Sequence, residues 1–200
     1  MTSSRMSSDA RRAHLLDTAE RLFVSVAYDD VPMAQIASEA GVTRALVYHY
    51  FPTKADLFAA IWARAHETLG TTVDFAQARS VRDGLISALV AYLDFYEKHL
   101  GLVLTANRSA IAAAPVVRDP ITATFDTLTT TVLDAVGASG EPRRIAETAF
   151  AGWIGFIREA TVKTLLDRTV TPEQNLAICI DVLDATVGRH IDLDVPAGRG

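Results

Sequence analysis

Between Gly41 and Lys54 the chain reads Gly-Val-Thr-Arg-Ala-Leu-Val-Tyr-His-Tyr-Phe-Pro-Thr-Lys. Hydroxyls, a guanidinium, an imidazole and an ammonium fall within one short segment, a set suited to phosphate oxygens and base edges. Thr43 and Tyr48 offer hydroxyls, and Arg44 can reach a guanine edge or a phosphate. His49 can donate to a phosphate, which would in turn favour its protonation. The spacing predicts a helix over 43–51, and an isolated helix of that length is marginal in water. Tyr48, His49, Tyr50 and Phe51 occupy successive positions, so they point around the helix and cannot all face one core. A partner outside the core is therefore expected to use some of them, while Tyr50 and Phe51 are expected mainly to pack against the first and fourth helices.

The neighbouring residues position this segment. Residues 32–40 read as a second short helix with Ile36 and Ala40 on one face, followed by Gly41 where a left-handed backbone favours glycine. Val42 packs the corner and Thr43 caps the next helix. Two short helices joined by a glycine turn form the helix-turn-helix pattern. The preceding helix, about 8–27, carries a 3.6-period stripe of Leu15, Leu16, Ala19, Leu22, Phe23 and Val26. Pro52 ends the third helix, and Thr53 with Asp56 restarts the chain as a capping box. Lys54 then stands in a first turn, where the helix dipole favours anions; a phosphate opposite it would account for the charge. In this arrangement the third helix enters the major groove of DNA, its N-terminal N–H groups suit phosphate, and the candidate contacts are Thr43, Arg44, Ala45, Tyr48, His49 and Lys54.

These residues carry a family resemblance. The run from about Arg11 to Ala65 resembles the DNA-binding domain of the TetR family of bacterial transcriptional regulators. It rests on Ala19 to Phe23, Ile36-Ala37, Ala40-Gly41-Val42, Tyr48-His49-Tyr50-Phe51, and Lys54 to Leu57. Pro32 stands where a capping Thr is common, and Leu46 where a small hydroxyl residue often sits. The resemblance implies a two-fold dimer whose last two helices form a four-helix interface.

Composition sets bounds on the remainder. The 200 residues are half hydrophobic, with a mean hydropathy of +0.19, which suits a soluble protein with extensive helix burial; no apolar run reaches membrane-spanning length. Residues 1–8 are polar and Ser-rich, reading as a mobile tail from which Arg5, together with Arg11 and Arg12, could reach the DNA backbone. The single Cys179 excludes an internal disulfide and fits a reducing cytoplasm; its apolar neighbours predict a buried, inert thiol. The net charge is −5, and residues 1–66 hold seven Lys and Arg against seven Asp and Glu. A neutral domain predicts modest non-specific affinity, because that term depends on neutralised phosphates.

The whole chain reads as all-α: tail 1–8, a helix-turn-helix domain with its connecting fourth helix over 9–69, a helical ligand-binding and dimerisation domain over 70–190, and a tail 191–200. Helices are predicted at 81–99, 101–114, 120–136, 141–168 and 172–190. The small residues Ala149, Ala151, Gly152 and Gly155 let another backbone approach, and the last helix is apolar on several faces. Helices 141–168 and 172–190 are therefore the expected homodimer interface. Tyr92, Phe95, Tyr96, His99, Asn107, Arg108, Phe125, Trp153 and Phe156 are the candidate lining of a small-molecule pocket. Asn107 and Arg108 are the least comfortable of these in an apolar helix. No cofactor or metal motif is present: the five histidines form no i, i+4 ligand pair. The expected function is a cytoplasmic, dimeric repressor released from a palindromic operator in double-stranded DNA by a small effector. The alternatives are a helical sensor or scaffold without DNA binding, and an all-α pocket enzyme.

Overall fold

The computed structural model describes residues 6–70 and 77–197, so Arg5 with the rest of 1–5, and 198–200 of the expected C-terminal tail, lie outside the described residues. Among the described residues there is no β-strand, and no helix is long and apolar enough to cross a membrane. The helices are α1 (Ser8–Ser25), α2 (Met33–Glu39), α3 (Arg44–Tyr50), α4 (Lys54–Gly70), α5 (Val81–Lys98), α6 (Leu100–Arg108), α7 (Pro115–Ala135), α8 (Gly140–Asp167) and α9 (Pro172–Thr186), with short 3-10 turns at Tyr28–Asp30, Ala110–Ala113 and Val187–Arg189.

The chain divides into two compact units, one of residues 1–66 and 101–120, the other of 67–100 and 121–200. This differs from the expected break near residue 70, because the chain returns to the first unit through α6. The return packs α6 on the end of α1: a Cβ built on Gly101 would lie 3.6 Å from the Val24 Cα, and Leu102 and Val103 are buried. The core of the first unit joins Leu15, Leu16, Ala19 and Phe23 of α1 to Ile36 and Ala37 of α2, Val47 of α3, and Leu57, Phe58 and Ile61 of α4, all buried. At its centre Phe23, Tyr28 and Phe58 form a triangle of rings with centroids 5.2, 5.5 and 5.9 Å apart. Such tilted and edge contacts add to the burial of large apolar area.

α7 starts five residues earlier than predicted. Pro115 takes its first position, where a missing N–H costs nothing, and the Ala114 carbonyl accepts from Val117 and Arg118 N–H, both at 3.0 Å. Pro120 therefore sits inside the helix, where it removes the donor for the Val116 carbonyl. The sequence reading had instead used Pro120 as the helix start.

In the second unit α5, α8 and α9 surround a core that includes Leu85, Leu89, Leu133, Phe150, Trp153, Ile157, Cys179 and Leu183. A buried polar chain runs between α8 and α9: Asn175 Nδ2 donates to Thr161 Oγ1 at 3.2 Å, and Trp153 Nε1 donates to the Cys179 carbonyl at 2.8 Å. Burial pushes the Cys179 thiol up to about 11, so it stays protonated at neutral pH, in keeping with an inert packing role.

Residues 191–195, expected to be tail, belong to this core. Ile191 and Leu193 are buried, and the carbonyls of Leu193 and Val195 accept from Arg82 N–H at 2.8 Å and Val81 N–H at 3.1 Å. Ser80 Oγ accepts from Asp83 N–H at 3.1 Å. The first three amides of α5, orphans in an isolated helix, are thus all satisfied, two of them by the C-terminal segment. Arg82 also pairs with Asp184 of α9 through two contacts, Nε–Oδ1 at 3.0 Å among them. Leu193→Ala is expected to cost about 2–5 kcal/mol in urea unfolding; a value within a few tenths of wild type would mean that the segment is a tail after all.

Candidate nucleic-acid interface

α3 is seven residues long and is set by its flanks. Gly41 has φ +65°, a region where side chains are strained, and this reversal lets Val42 N–H reach the Ala37 carbonyl at 2.9 Å. Thr43 then caps α3, its Oγ1 accepting from Leu46 N–H at 3.3 Å. The chain leaves the helix at Phe51, whose N–H donates to the Val47 carbonyl at 2.9 Å before Pro52 prevents continuation.

The helix has a clear inner and outer side. Val47 and Phe51, one turn apart, are 0% and 2% exposed. Thr43, Arg44, Ala45, Tyr48 and His49 are exposed, while Leu46 and Tyr50 are half-buried. Arg44 with Tyr48 and Ala45 with His49 are i, i+4 pairs, so the exposed groups form two adjacent rows on one face. Tyr50 turns back toward α1, its hydroxyl 3.2 Å from Ser8 Oγ, and the Arg12 guanidinium lies 5.2 Å from the centre of the Phe51 ring. His14 Nε2 lies 3.3 Å from the Ala40 carbonyl, tying α1 to the end of α2 beside the turn. Packing of Tyr50 and Phe51 on the first helix is expected from the sequence, but the individual partners are not: the sequence reading sends Arg12 toward the DNA backbone and gives Ser8 and His14 no role.

Lys54 is not placed as the sequence suggested. Its Nζ donates to the carbonyls of Tyr28 at 2.7 Å, Val31 at 3.1 Å and Asp29 at 3.4 Å, and it lies 4.2 Å from the centre of the Tyr28 ring. An ammonium has three donors, and all three are directed at protein carbonyls. The cation therefore answers the carbonyl end of the 3-10 turn. Burial, with the Asp29 carboxylate adding to it, pushes the Tyr28 phenol up to about 12, so the ring beneath the cation stays neutral.

Ion pairing sets which charges face outward. Arg64 pairs with Asp17 at 2.7 Å and with Glu20, which joins α1 to α4 and cancels charge away from α3. Arg44 makes no hydrogen bond or ion pair among the described residues.

Residues 15–61 match the family model described as bacterial regulatory proteins, tetR family. Over 96 residues, 47% of this chain and 44% of the relative, the chain is 33% identical to the HTH-type transcriptional activator FasR of Mycolicibacterium smegmatis. Over 59 residues it is 41% identical to the HTH-type transcriptional regulator AcrR of Shigella flexneri, covering 30% of this chain and 27% of that one. Among solved structures, a tetR-family transcriptional regulator from Streptomyces coelicolor superposes with a TM-score of 0.70 at 25% identity, over 90% of this chain and 80% of that one. Residues 15–61 therefore resemble the DNA-binding segment of the TetR family. The matched stretches span less than half the length of those two curated relatives, and the family-model match over residues 15–61 coincides with the helices that build the α3 surface. A FadR from Bacillus subtilis, solved in complex with stearoyl-CoA, has a TM-score of 0.65 at 15% identity, a likeness of fold.

The candidate pocket residues separate. Tyr92, Phe95, Tyr96, His99, Phe125, Trp153 and Phe156 fall in the second unit, Asn107 and Arg108 in the first. Tyr92 and Tyr96 form a phenol pair, the Tyr92 hydroxyl donating to that of Tyr96, with the Phe125 ring 6.0 Å from Tyr92. Burial, then the neighbouring Tyr96, raises the Tyr92 phenol well above its ordinary value. The His99 ring lies 4.7 Å from that of Phe95, and Phe156 packs half-buried against the core. Trp153 is buried core, its indole N–H already taken by the Cys179 carbonyl. Asn107 Nδ2 donates to the Val103 carbonyl one turn back at 2.8 Å, and Arg108 is exposed. Neither of the last two needs a ligand to satisfy it, which corrects the reason for choosing them.

Thr43→Ala removes the cap of α3 and is expected to cost about 1 kcal/mol of stability in urea unfolding. No loss of stability would mean that the capping hydrogen bond contributes nothing to the helix.

Proposed function

We propose that this chain is a ligand-responsive transcriptional regulator that binds double-stranded operator DNA as a homodimer. The observation that carries the reading is the division of α3. Val47 and Phe51 anchor it, which leaves Thr43, Arg44, Ala45, Tyr48 and His49 outside on a helix too short to stand alone. Exposed hydroxyls, a guanidinium and an imidazole on adjacent rows suit a major groove, where phosphate contacts position a helix and base edges give sequence preference. The family model of bacterial tetR-type regulators matches over this same stretch.

The dimer reading is supported by α8 and α9. A Cβ added at Gly152 or Gly155 would meet nothing within 4 Å, so glycine at these positions serves no packing need within the chain. Two helix-interior glycines cost about 1 kcal/mol each relative to alanine. Close approach of a second copy would account for that expense. Ile145 of α8 and Ile178 of α9 are exposed, which adds apolar surface for the same contact. A two-fold pair presents two copies of α3, and half-sites about 34–36 Å apart, or a multiple, would meet successive major grooves.

The effector is a small molecule held in the second unit, with the Tyr92–Tyr96 phenol pair and Phe125 as the best supported of the candidate contacts. It releases the operator only by binding the DNA-free conformation more tightly, and operator DNA then weakens effector binding by the same factor. Occupancy of the operator blocks transcription, making the regulator a repressor.

Fluorescence anisotropy with the duplex beside its own gene tests the reading. A complex that prefers this duplex over an unrelated one is expected, and equal affinity for both at every salt concentration would sink it. Arg44→Ala should weaken the preferred complex by about 1–3 kcal/mol while leaving the thermal midpoint unchanged. Gly152→Glu should yield a folded monomer in analytical ultracentrifugation where the wild type sediments as a dimer; a dimeric Gly152→Glu protein would exclude this face.

A further inference from the structure

We infer that Lys54 is a positioning residue for DNA readout, closing the helix-turn-helix at its two ends instead of touching phosphate. The inference rests on the DNA-binding reading and concerns how α3 is held in its orientation. The segment α2-turn-α3 is entered at Val31 and left at Phe51, so Lys54 stands just beyond its exit. The Lys54 ammonium donates to Tyr28, Asp29 and Val31, which stand just before its entrance. Residues 32–53, the complete two-helix unit, therefore form a loop tied at its base by a single side chain.

The tie suits a cation. A 3-10 turn leaves carbonyls pointing from its C-terminal end, and these carry partial negative charge. Val31 N–H returns to the Tyr28 carbonyl at 3.3 Å, and the remaining acceptor capacity of that carbonyl is met by Lys54. The Tyr28 ring, itself packed against Phe23 and Phe58, lies against the ammonium and adds a cation–π attraction. Hydrogen bonds from an ionised donor are about twice as strong as neutral ones, and the half-buried setting limits competition by water. Lys54 is also the first residue of α4, so the tie is covalently continuous with Leu57, Phe58 and Ile61 in the core. The exit of α3 and the entrance of α2 are thus held to one rigid helix.

Lys54→Met keeps the apolar stem and loses the donors, and Lys54→Arg restores a cation with several. Each variant is measured as the full chain for affinity toward the preferred duplex, affinity toward an unrelated duplex, and the slope of log affinity against log salt. With Lys54→Met, affinity for the preferred duplex is expected to fall at least tenfold, affinity for the unrelated duplex less than twofold, and the slope to stay unchanged. Lys54→Arg is expected to recover most of the loss. Equal losses on both duplexes with a slope lower by about one would instead make Lys54 a phosphate contact and overturn the inference, as would unchanged affinity for both. A DNA-free arm separates this from failure of the regulator reading: with Lys54→Met, amide exchange at Ile36, Val47 and Phe51 should speed at least tenfold relative to Leu15 of α1. Unchanged exchange there would overturn the tie even if the wild type binds no DNA. If Lys54→Met melts below the assay temperature, Lys54→Gln, which keeps two neutral donors, carries the same comparisons.

Discussion

The burial of Val47 and Phe51 is the contact on which the exposed face of α3 depends. A helix of two turns has too few internal hydrogen bonds to offset the entropy of ordering it, so α3 exists because two side chains on one edge enter a core built by α1, α2 and α4. That core is dominated by the Phe23, Tyr28 and Phe58 rings, which fill space at the junction where a short helix could otherwise rock. Every polar group on the outer face inherits its position from this inner edge. The turn at Gly41, the cap at Thr43 and the stop at Pro52 then fix where the helix begins and ends.

Charge is handled locally. In a domain with equal numbers of acids and bases, an outward-facing cation has to be protected from the protein's own carboxylates. Asp17 and Glu20 are held by Arg64 on the α1–α4 side, and Asp56 is occupied with Thr53 N–H and hydroxyl at the start of α4. Lys54 is turned inward. Arg44 and His49 remain on the outer face; for the proposed operator contact, so few cations would favour dependence on sequence over indiscriminate attraction.

The architecture was legible in the sequence wherever a local rule sufficed. The apolar stripe of α1 from Leu15 to Phe23, the glycine at 41, the Thr43 cap and the Pro52 stop are short-range signals, and each lies in the structure where the pattern placed it; Val26, expected in the same stripe, falls just past the end of α1 and is exposed. The misses arise where the deciding partner, near or far, lay outside the rule applied. Lys54 meets carbonyls more than twenty residues away, and no periodicity encodes that partner; from its position alone a phosphate was the simpler explanation. Asn107 looked unsatisfied until its own helix supplied the Val103 carbonyl. Trp153 looked like a pocket wall because nothing in the sequence pairs it with Cys179, on the next helix. Pro120 was read as a helix start by a sound rule, but Pro115 had already satisfied the same rule. The segment 191–195 has Ile, Leu and Val alternating with Asp and Asp, a pattern that in retrospect marks a chain with one buried side.

That last segment and the path of α6 bear on how the protein is made. Helices α1 to α4 emerge from the ribosome together, but their unit also includes residues 101–120, so a nascent chain carrying only the first four helices lacks part of the surface that covers α1. The second unit waits longer, because the first turn of α5 finds its acceptors at Leu193 and Val195, more than a hundred residues downstream. Both units are interleaved in the chain, and long-range closure of this kind slows folding. The order of synthesis therefore leaves the first two amides of α5 open to water for most of translation, with only the Ser80 cap in place, and the last segment to appear is the one that seals them.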